Sequence, residues 1–114
     1  MRKDVVMEYA VLIYIDENQS DPGMTEAYTA YTQQLIDAGV MAGGRKLEGS
    51  PSATTVRVRD EEQLITDGPF AEAREQLGGF YLFECANLDE ALKWASLCPG
   101  AKHGAIEVRP VAPQ

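Results

Sequence analysis

Two residues of this sequence are suited to proton transfer: its single histidine, His103, and the carboxylate Asp67. Imidazole is the side-chain group that most readily takes up and releases a proton near neutral pH. Asp67 opens the tetrapeptide Asp-Gly-Pro-Phe, and the Gly-Pro step would complete a rigid turn around the carboxylate. We therefore predict an acid–base pair of Asp67 and His103 beside a pocket.

Both residues also have a purely structural interpretation. A loop histidine often lies at the surface or bonds a backbone carbonyl, and aspartate commonly begins a turn because its carboxylate accepts backbone N–H bonds. Phe70, which ends the tetrapeptide, is in the same way either part of the core or a wall of a substrate pocket. The sequence leaves these alternatives open.

Three arginines and two tyrosines are the further candidates for substrate binding: Arg57, Arg59, Arg74, Tyr14 and Tyr28. The arginines lie on a predicted hairpin beside Asp67 or just after it, where they would form an anion-binding wall. The alternative is an ordinary solvated strand face. The tyrosines would extend their hydroxyls into a pocket under the sheet. Alternatively, a tyrosine on a helix packs its ring in the core and leaves its hydroxyl in solvent.

Several other chemistries lack their residues. One histidine without a cysteine or histidine at ligand spacing cannot build a typical zinc site. The sequence has neither of the glycine motifs that hold nucleotide phosphates, nor the serine elbow of hydrolases. We therefore predict no metal and no cofactor. Acid–base chemistry such as isomerisation, dehydration or a lyase reaction on a small metabolite is what the remaining groups would permit.

Composition limits the partners. A chain of 114 residues has room for one domain, and its formal net charge of −8 disfavours binding to nucleic acid or to an anionic membrane. The longest apolar run, residues 10–15, is too short to cross a bilayer, and residues 1–6 lack the apolar stretch of a signal peptide. We expect a cytoplasmic protein whose two cysteines, Cys85 and Cys98, are separate buried thiols.

Hydrophobic periodicity predicts the order β-α-β, an inserted hairpin, and β-α-β. This order favours a ferredoxin-like α+β sandwich. Residues 71–77, between Pro69 and a Gly-Gly pair, are interpreted as a loop or a single turn, and Asn87 with Glu90 as a capping box. The predicted strands are residues 8–15, 40–47, 54–59, 63–66, 80–85 and 105–111, and the predicted helices follow Pro22 and Asn87.

Two of the predicted strands, residues 8–15 and 80–85, are apolar on both faces. Two helices can cover only one face of such a sheet, so the other face needs a partner. The simplest partner is the same face of a second copy. The sequence therefore predicts a homodimer.

Five segments, in this order, resemble the DGPF, or DGPFAETKE, branch of the YCII-related proteins: MEYAVLIYIDE from Met7, ATTVRVRD, TDGPFAEAREQLGGFYLFE, LDEALKWA and HGAIEVRPV. The resemblance covers about residues 7–112 and makes residues 1–6 an extension before this single domain. It implies a ferredoxin-like dimeric α+β barrel, in agreement with the argument from the sheet faces.

The resemblance implies little about activity. Most members have no known activity, and YCII-like relatives are proposed to be enzymes with a His–Asp dyad whose histidine lies on the first helix. Here Tyr28 occupies the matching position and Asp37 is the nearest partner acid, so this sequence departs from that dyad. The resemblance also implies an association with sigma factors of the extracytoplasmic type, which is a non-enzymatic function.

Three functions therefore stay open. The first is a small cofactor-free dimeric domain that binds a small metabolite, neutral or anionic, and performs Asp/His acid–base chemistry. The second is a non-enzymatic regulatory module that associates with a sigma factor, and the third is a scaffold dimer without a pocket. Whether the protein is an enzyme is not decided by its sequence.

Overall fold

The computed structural model describes residues 6–19 and 21–113. The predicted extension at residues 1–6 falls, except for Val6, outside the described residues. The elements are β1 (Met7–Asp16), α1 (Met24–Asp37), β2 (Met41–Lys46), β3 (Thr54–Arg59), β4 (Glu62–Asp67), β5 (Glu75–Cys85), α2 (Leu88–Ser96) and β6 (Ala105–Pro110), with short 3-10 turns at Ser50–Ser52 and Pro99–Lys102.

The strands form one four-stranded antiparallel sheet and one separate hairpin. The sheet has the order β2-β5-β1-β6, and the hairpin pairs β3 with β4. Residues from both helices share one buried cluster with the same face of β1 and β5, so the helices pack on one side of the sheet. The fold is mixed α+β, consistent with a ferredoxin-like arrangement, and this part of the prediction is confirmed.

The core joins the sheet to both helices. Val11, Leu35 and Phe83 are fully buried at its centre. The hydroxyl of Tyr31 on α1 donates to the carbonyl of Trp94 on α2 over 2.6 Å, which satisfies the phenol and connects the helices. Burial of each large apolar side chain stabilises the fold by roughly 1.5–3 kcal/mol. Cys85 and Cys98 are both buried, as predicted.

The second helix begins as its sequence predicts. The side chain of Asn87 accepts the backbone N–H of Glu90 over 3.0 Å, and the carboxylate of Glu90 accepts the N–H of Ala86 over 2.7 Å. This reciprocal capping satisfies backbone donors that a helix leaves unbonded at its start.

The prediction for residues 71–77 was partly wrong, because β5 already begins at Glu75. Glu75 pairs with Asp16, and the strand continues through the Gly-Gly pair that was interpreted as its boundary. A Cβ atom on Gly79 would lie 2.9 Å from the carbonyl oxygen of Arg45, so glycine permits the close approach of β2 and β5 here. A Gly-Gly pair commonly marks the end of a strand, but this pair lies inside β5.

The face of the sheet opposite the helices is apolar at its centre. Ala10 pairs with Leu82 and Leu12 with Phe80 on this face, and all four side chains are partly exposed. The hairpin carries a second apolar surface on one of its faces, formed by Val56, Val58 and Ile65, which are 55%, 59% and 60% exposed. We call these two surfaces the outer sheet face and the hairpin face.

Candidate functional site

A cavity of about 940 Å³ opens on the helix side of the sheet, between α1 and the strands β1, β2 and β5. Its volume lies within the range of small-molecule sites. Its sheet side is mainly apolar, its helix side carries hydroxyl groups, and its polar groups include an acid, a lysine and the histidine. The lining includes Ile13, Ile15, Tyr28, Asp21, Lys46 and His103.

Glycines make room for this cavity. Gly78 and Gly79 lie in the middle of β5, where side chains on most strands would fill the space under a helix. A Cβ atom on Gly78 would lie 2.8 Å from the end of the Ile15 side chain. The same Gly-Gly pair that misplaced the strand boundary in the sequence analysis therefore helps to shape the site.

His103 is held by the turn that leads into β6. Its backbone N–H and that of Gly104 both bond the carbonyl of Gly100, over 3.2 and 2.8 Å. Gly104 lies directly against the backbone of Tyr14 on β1, where no side chain would fit. The histidine is therefore fixed relative to the end of the central strand β1.

The carboxylate that meets this imidazole is Asp21. Its Oδ2 lies 3.1 Å from Nε2 of His103, and the two side chains are 46% and 56% exposed. At such exposure the pair stabilises the fold by about 1 kcal/mol or less. The contact therefore matters more for orienting the imidazole than for holding the chain together.

Asp21 was not among the residues singled out from the sequence, where it lies in the polar segment DENQSDPG that begins at the end of β1. A signal was present in the predicted topology. Tyr14, near the end of β1, pairs with Ala105 at the start of β6, so the loop that follows β1 and the turn that precedes β6 lie at the same end of the sheet. The order of the strands therefore made an acid in that loop a candidate partner for His103.

Asp67 lies at the end of β4, exposed, in register with Thr54. The next residue, Gly68, donates its N–H to Ala53 over 2.7 Å, and its carbonyl accepts the hydroxyl of Thr55 over 2.9 Å. The Asp-Gly-Pro turn thus closes the base of the hairpin. Neither of the two cavities that His103 borders is lined by Asp67. The pairing of Asp67 with His103 stays a prediction.

The predicted arginine wall is divided between two places. The guanidinium carbon of Arg57 lies 4.7 Å from the centre of the Phe70 ring, and that ring is 72% exposed. Phe70 is therefore not part of the core of this chain, contrary to one of its two interpretations. Arg59 bonds the carbonyl of its neighbour Val58, whereas Arg74 pairs with Asp16 over 3.1 Å.

A second cavity, of about 560 Å³, also borders His103, and it is lined by Tyr14, Asp16 and Arg74 as well. The backbone N–H of Asn18, and then Arg74, hold the pKa of Asp16 below its ordinary value, so its carboxylate is ionised at neutral pH. Arg74 and Tyr14, two of the predicted binding residues, therefore border the same cavity as His103.

Tyr28 extends from α1 into the larger cavity. Its hydroxyl oxygen accepts the N–H of Gly100 over 3.1 Å and lies 3.5 Å from the sulfur of Cys98. Burial raises the pKa of Tyr28 above its ordinary value, and burial likewise raises the pKa of the Cys98 thiol. Both groups therefore keep their protons at neutral pH.

Within residues 6–19 and 21–113, no group of three or more histidine, cysteine, aspartate or glutamate side chains is placed to hold a metal ion. None of the helices in this described part is long and apolar enough to cross a membrane.

The fold and the site define a small α+β domain with a ligand-sized cavity beside an imidazole–carboxylate contact. Residues 7–114 match the sequence model of the YCII-related domain, and the chain belongs to this family. It is also similar to the uncharacterized protein R00369 of Rhizobium meliloti (strain 1021), with 39% identity over 115 residues that cover 93% of each chain.

Proposed function

We propose that this protein binds a small metabolite in the larger cavity and that His103 exchanges a proton with it. The observation that carries the proposal is the 3.1 Å contact between Asp21 and His103 at a cavity of about 940 Å³. If Nε2 of His103 donates to Asp21, then Nδ1 is the atom that accepts a proton. The carboxylate stabilises the imidazolium that forms, and this chemistry requires no cofactor.

The cavity favours a ligand with an apolar body and one acidic group. Ile13 and Ile15 provide apolar contacts from β1, whereas Lys46 borders the same cavity from β2. Lys46 pairs with Gly79, which pairs with Ile13, so the lysine lies on the helix side of the sheet. An ammonium group there would offset a negative charge on the ligand in a protein that is otherwise strongly acidic.

The proposal includes a homodimer formed through the outer sheet face. The section in which all four strands lie side by side is about six residues long and presents roughly 400 Å² in projection, and the hairpin face adds about 200 Å². A stable interface needs about 800 Å² of accessible surface per subunit, so the sheet alone is small for this purpose and the hairpin face would enlarge it. A second copy would bury both apolar surfaces, as expected for a dimeric α+β barrel.

We also assign the chain to the DGPF branch of its family, on the segment TDGPFAEAREQLGGFY and the closed turn that this segment forms at the base of the hairpin. The alternative function, association with a sigma factor, stays a prediction that none of the described contacts favours. A cytoplasmic location is proposed on the sequence argument alone.

A thermal-shift screen of small carboxylates and carbonyl compounds tests ligand binding. A ligand at 100 times its dissociation constant stabilises the protein by roughly 2.7 kcal/mol, which corresponds to about 10 °C for a chain of this length. Thr29→Trp places an indole in the cavity and should abolish the shift, whereas Ala30→Trp, on the same helix but outside the cavity lining, should retain it. Equal shifts in both variants would contradict the proposed location.

Proton transfer is then measured on a ligand found in the screen. Deuterium incorporation from D₂O into that ligand, followed by NMR, should fall by at least about 100-fold in His103→Gln. Asp21→Asn should slow it, and Asp67→Asn should leave it unchanged if Asp21 is the partner acid. Loss in Asp67→Asn alone would instead support the pair predicted from the sequence. Binding without any exchange in the wild type would limit the function to ligand binding.

A further inference from the structure

Tyr28 differs from Tyr31 and Tyr81, two other phenols of the core, in what its hydroxyl contacts. A phenol can donate one hydrogen bond and accept two. Tyr31 donates to the carbonyl oxygen of Trp94, and Tyr81 shares a hydrogen bond of 2.7 Å with the hydroxyl of Thr32. Each of these two phenols thus has an oxygen atom as its partner.

The contacts of Tyr28 fill its acceptor positions. The N–H of Gly100 can only donate, so the phenol oxygen accepts that bond. The remaining contact is with the sulfur of Cys98, at 3.5 Å. A thiol is a weak donor and its sulfur a weak acceptor. Among the described contacts, the hydroxyl proton of Tyr28 therefore has no oxygen atom to bond.

We infer that Tyr28 donates its hydroxyl proton to the bound ligand, and that the ligand presents a carbonyl or carboxylate oxygen to it. This inference rests on the proposed function, since it places the ligand in the same cavity. A ligand oxygen is a far better acceptor than the thiol sulfur, so the phenol O–H would bond the ligand in preference to the sulfur. Tyr28 is thus a positioning residue that selects ligands by their acceptor group.

The position of Tyr28 also sets the direction in which the ligand lies. Gly100 donates its N–H to the phenol and accepts the backbone N–H of His103 through its carbonyl. Gly100 thus connects the phenol to the backbone of His103, and Tyr28 and His103 border the same cavity. The half-buried phenol binds the inner, oxygen-bearing end of the ligand, and the more exposed imidazole contacts its outer part.

The protonation state agrees with this role. Burial is the main cause that raises the pKa of Tyr28, with the contact to Cys98 as a smaller one. The phenol therefore stays a hydrogen-bond donor throughout the neutral range. A carboxylate ligand would gain a bond from it without repulsion from a phenolate.

Three probes of similar length separate the acceptor requirement from apolar binding: hexanoate, 2-hexanone and hexylamine. Hexanoate and 2-hexanone carry acceptor oxygens, whereas protonated hexylamine can only donate. Wild-type protein, titrated by NMR, should bind the first two at least about tenfold more tightly than the amine. Tyr28→Phe should remove this preference for the uncharged 2-hexanone and weaken it for hexanoate, which Lys46 also attracts. The matched variant Tyr31→Phe, whose hydroxyl bonds Trp94, should keep both preferences.

Tyr28→Phe leaves the N–H of Gly100 without its acceptor, so a misfolded variant would also lose binding. A second measurement therefore uses proteins that keep Tyr28. With tyrosine labelled by ¹³C at Cζ, hexanoate should shift one resonance, and hexylamine should not. That resonance is assigned to Tyr28 if it persists in each of the variants Tyr9→Phe, Tyr14→Phe, Tyr31→Phe and Tyr81→Phe. If hexylamine binds in the cavity as tightly as hexanoate, the inference is wrong but the proposed function stands. If no probe binds, both fail.

Discussion

Replacing Gly104 by alanine is expected to move His103 away from Asp21. The new Cβ atom would fall well inside the van der Waals radius of the Tyr14 carbonyl oxygen, 3.1 Å from the carbonyl carbon and 3.4 Å from Cα of Ile15. These are backbone atoms of the central strand, so they cannot rotate out of the way. The turn that carries His103 must shift instead, because it is the more exposed of the two segments.

The expected cost follows from this crowding. Inserting a methyl group where the surroundings cannot yield typically destabilises by about 1–3 kcal/mol. For a chain of this length, 1 kcal/mol lowers the melting temperature by about 4 °C, so Gly104→Ala should melt roughly 4–12 °C below the wild type. Ligand binding at His103 should weaken in the same variant.

The matched control is Gly43→Ala. A Cβ atom there would lie 3.6 Å from the nearest atom, in the side chain of Leu82, which is an ordinary contact. Both substitutions remove similar freedom from the unfolded chain, so their difference isolates the crowding. Urea unfolding of the two variants measures it. If Gly104→Ala is within about 0.5 kcal/mol of Gly43→Ala, the close packing of the His103 turn on β1 is refuted.

Three further predictions concern assembly and pH. Leu12→Glu, on the outer sheet face, should convert the proposed dimer to a monomer in light scattering, whereas Leu97→Glu, exposed at the end of α2, should not. A wild-type monomer at micromolar concentration would contradict the proposed interface. Burial raises the pKa of Tyr31, so the folded state keeps the phenol proton at a pH where the unfolded state has lost it. The free energy of unfolding should therefore fall as the pH rises above about 10, and it should fall less steeply in Tyr31→Phe. The backbone N–H of Asn18 and the side chain of Arg74 lower the pKa of Asp16, so the ionised carboxylate stabilises the fold above about pH 4. This stabilisation is lost as the pH falls through the folded-state pKa. The free energy of unfolding of Asp16→Asn should therefore be below that of the wild type at neutral pH and converge with it in acid.

The sheet and helices could be predicted because their signals are local. Alternation along β1 and the Asn87–Glu90 capping box each depend on a few neighbouring residues, and both match the structure. The start of β5 could not be predicted in the same way. Glycines at positions 78–79 resemble a strand boundary, and only the neighbouring β2 backbone shows why they lie inside the strand.

His103 was singled out from the sequence, whereas its contact with Asp21 was not. His103 was identified because it is the single histidine, whereas its partner depends on where two loops meet. Asp67 was chosen because its turn is the most distinctive motif in the sequence. That distinctiveness has a structural cause in the hydrogen bonds of Gly68, which close the base of the hairpin whatever else Asp67 does.

The topology itself explains why chemistry would collect at this end of the sheet. The end of β1 and the start of β6 are neighbours, so the loop with Asp21 and the turn with His103 meet there. The first turns of α1 lie beside the same end of the sheet and bring Tyr28 to Gly100. An acid, an imidazole and a phenol thus come together through pairings that the core already requires. Substitutions of Asp21 and His103 need not disturb that core, because both residues lie outside it.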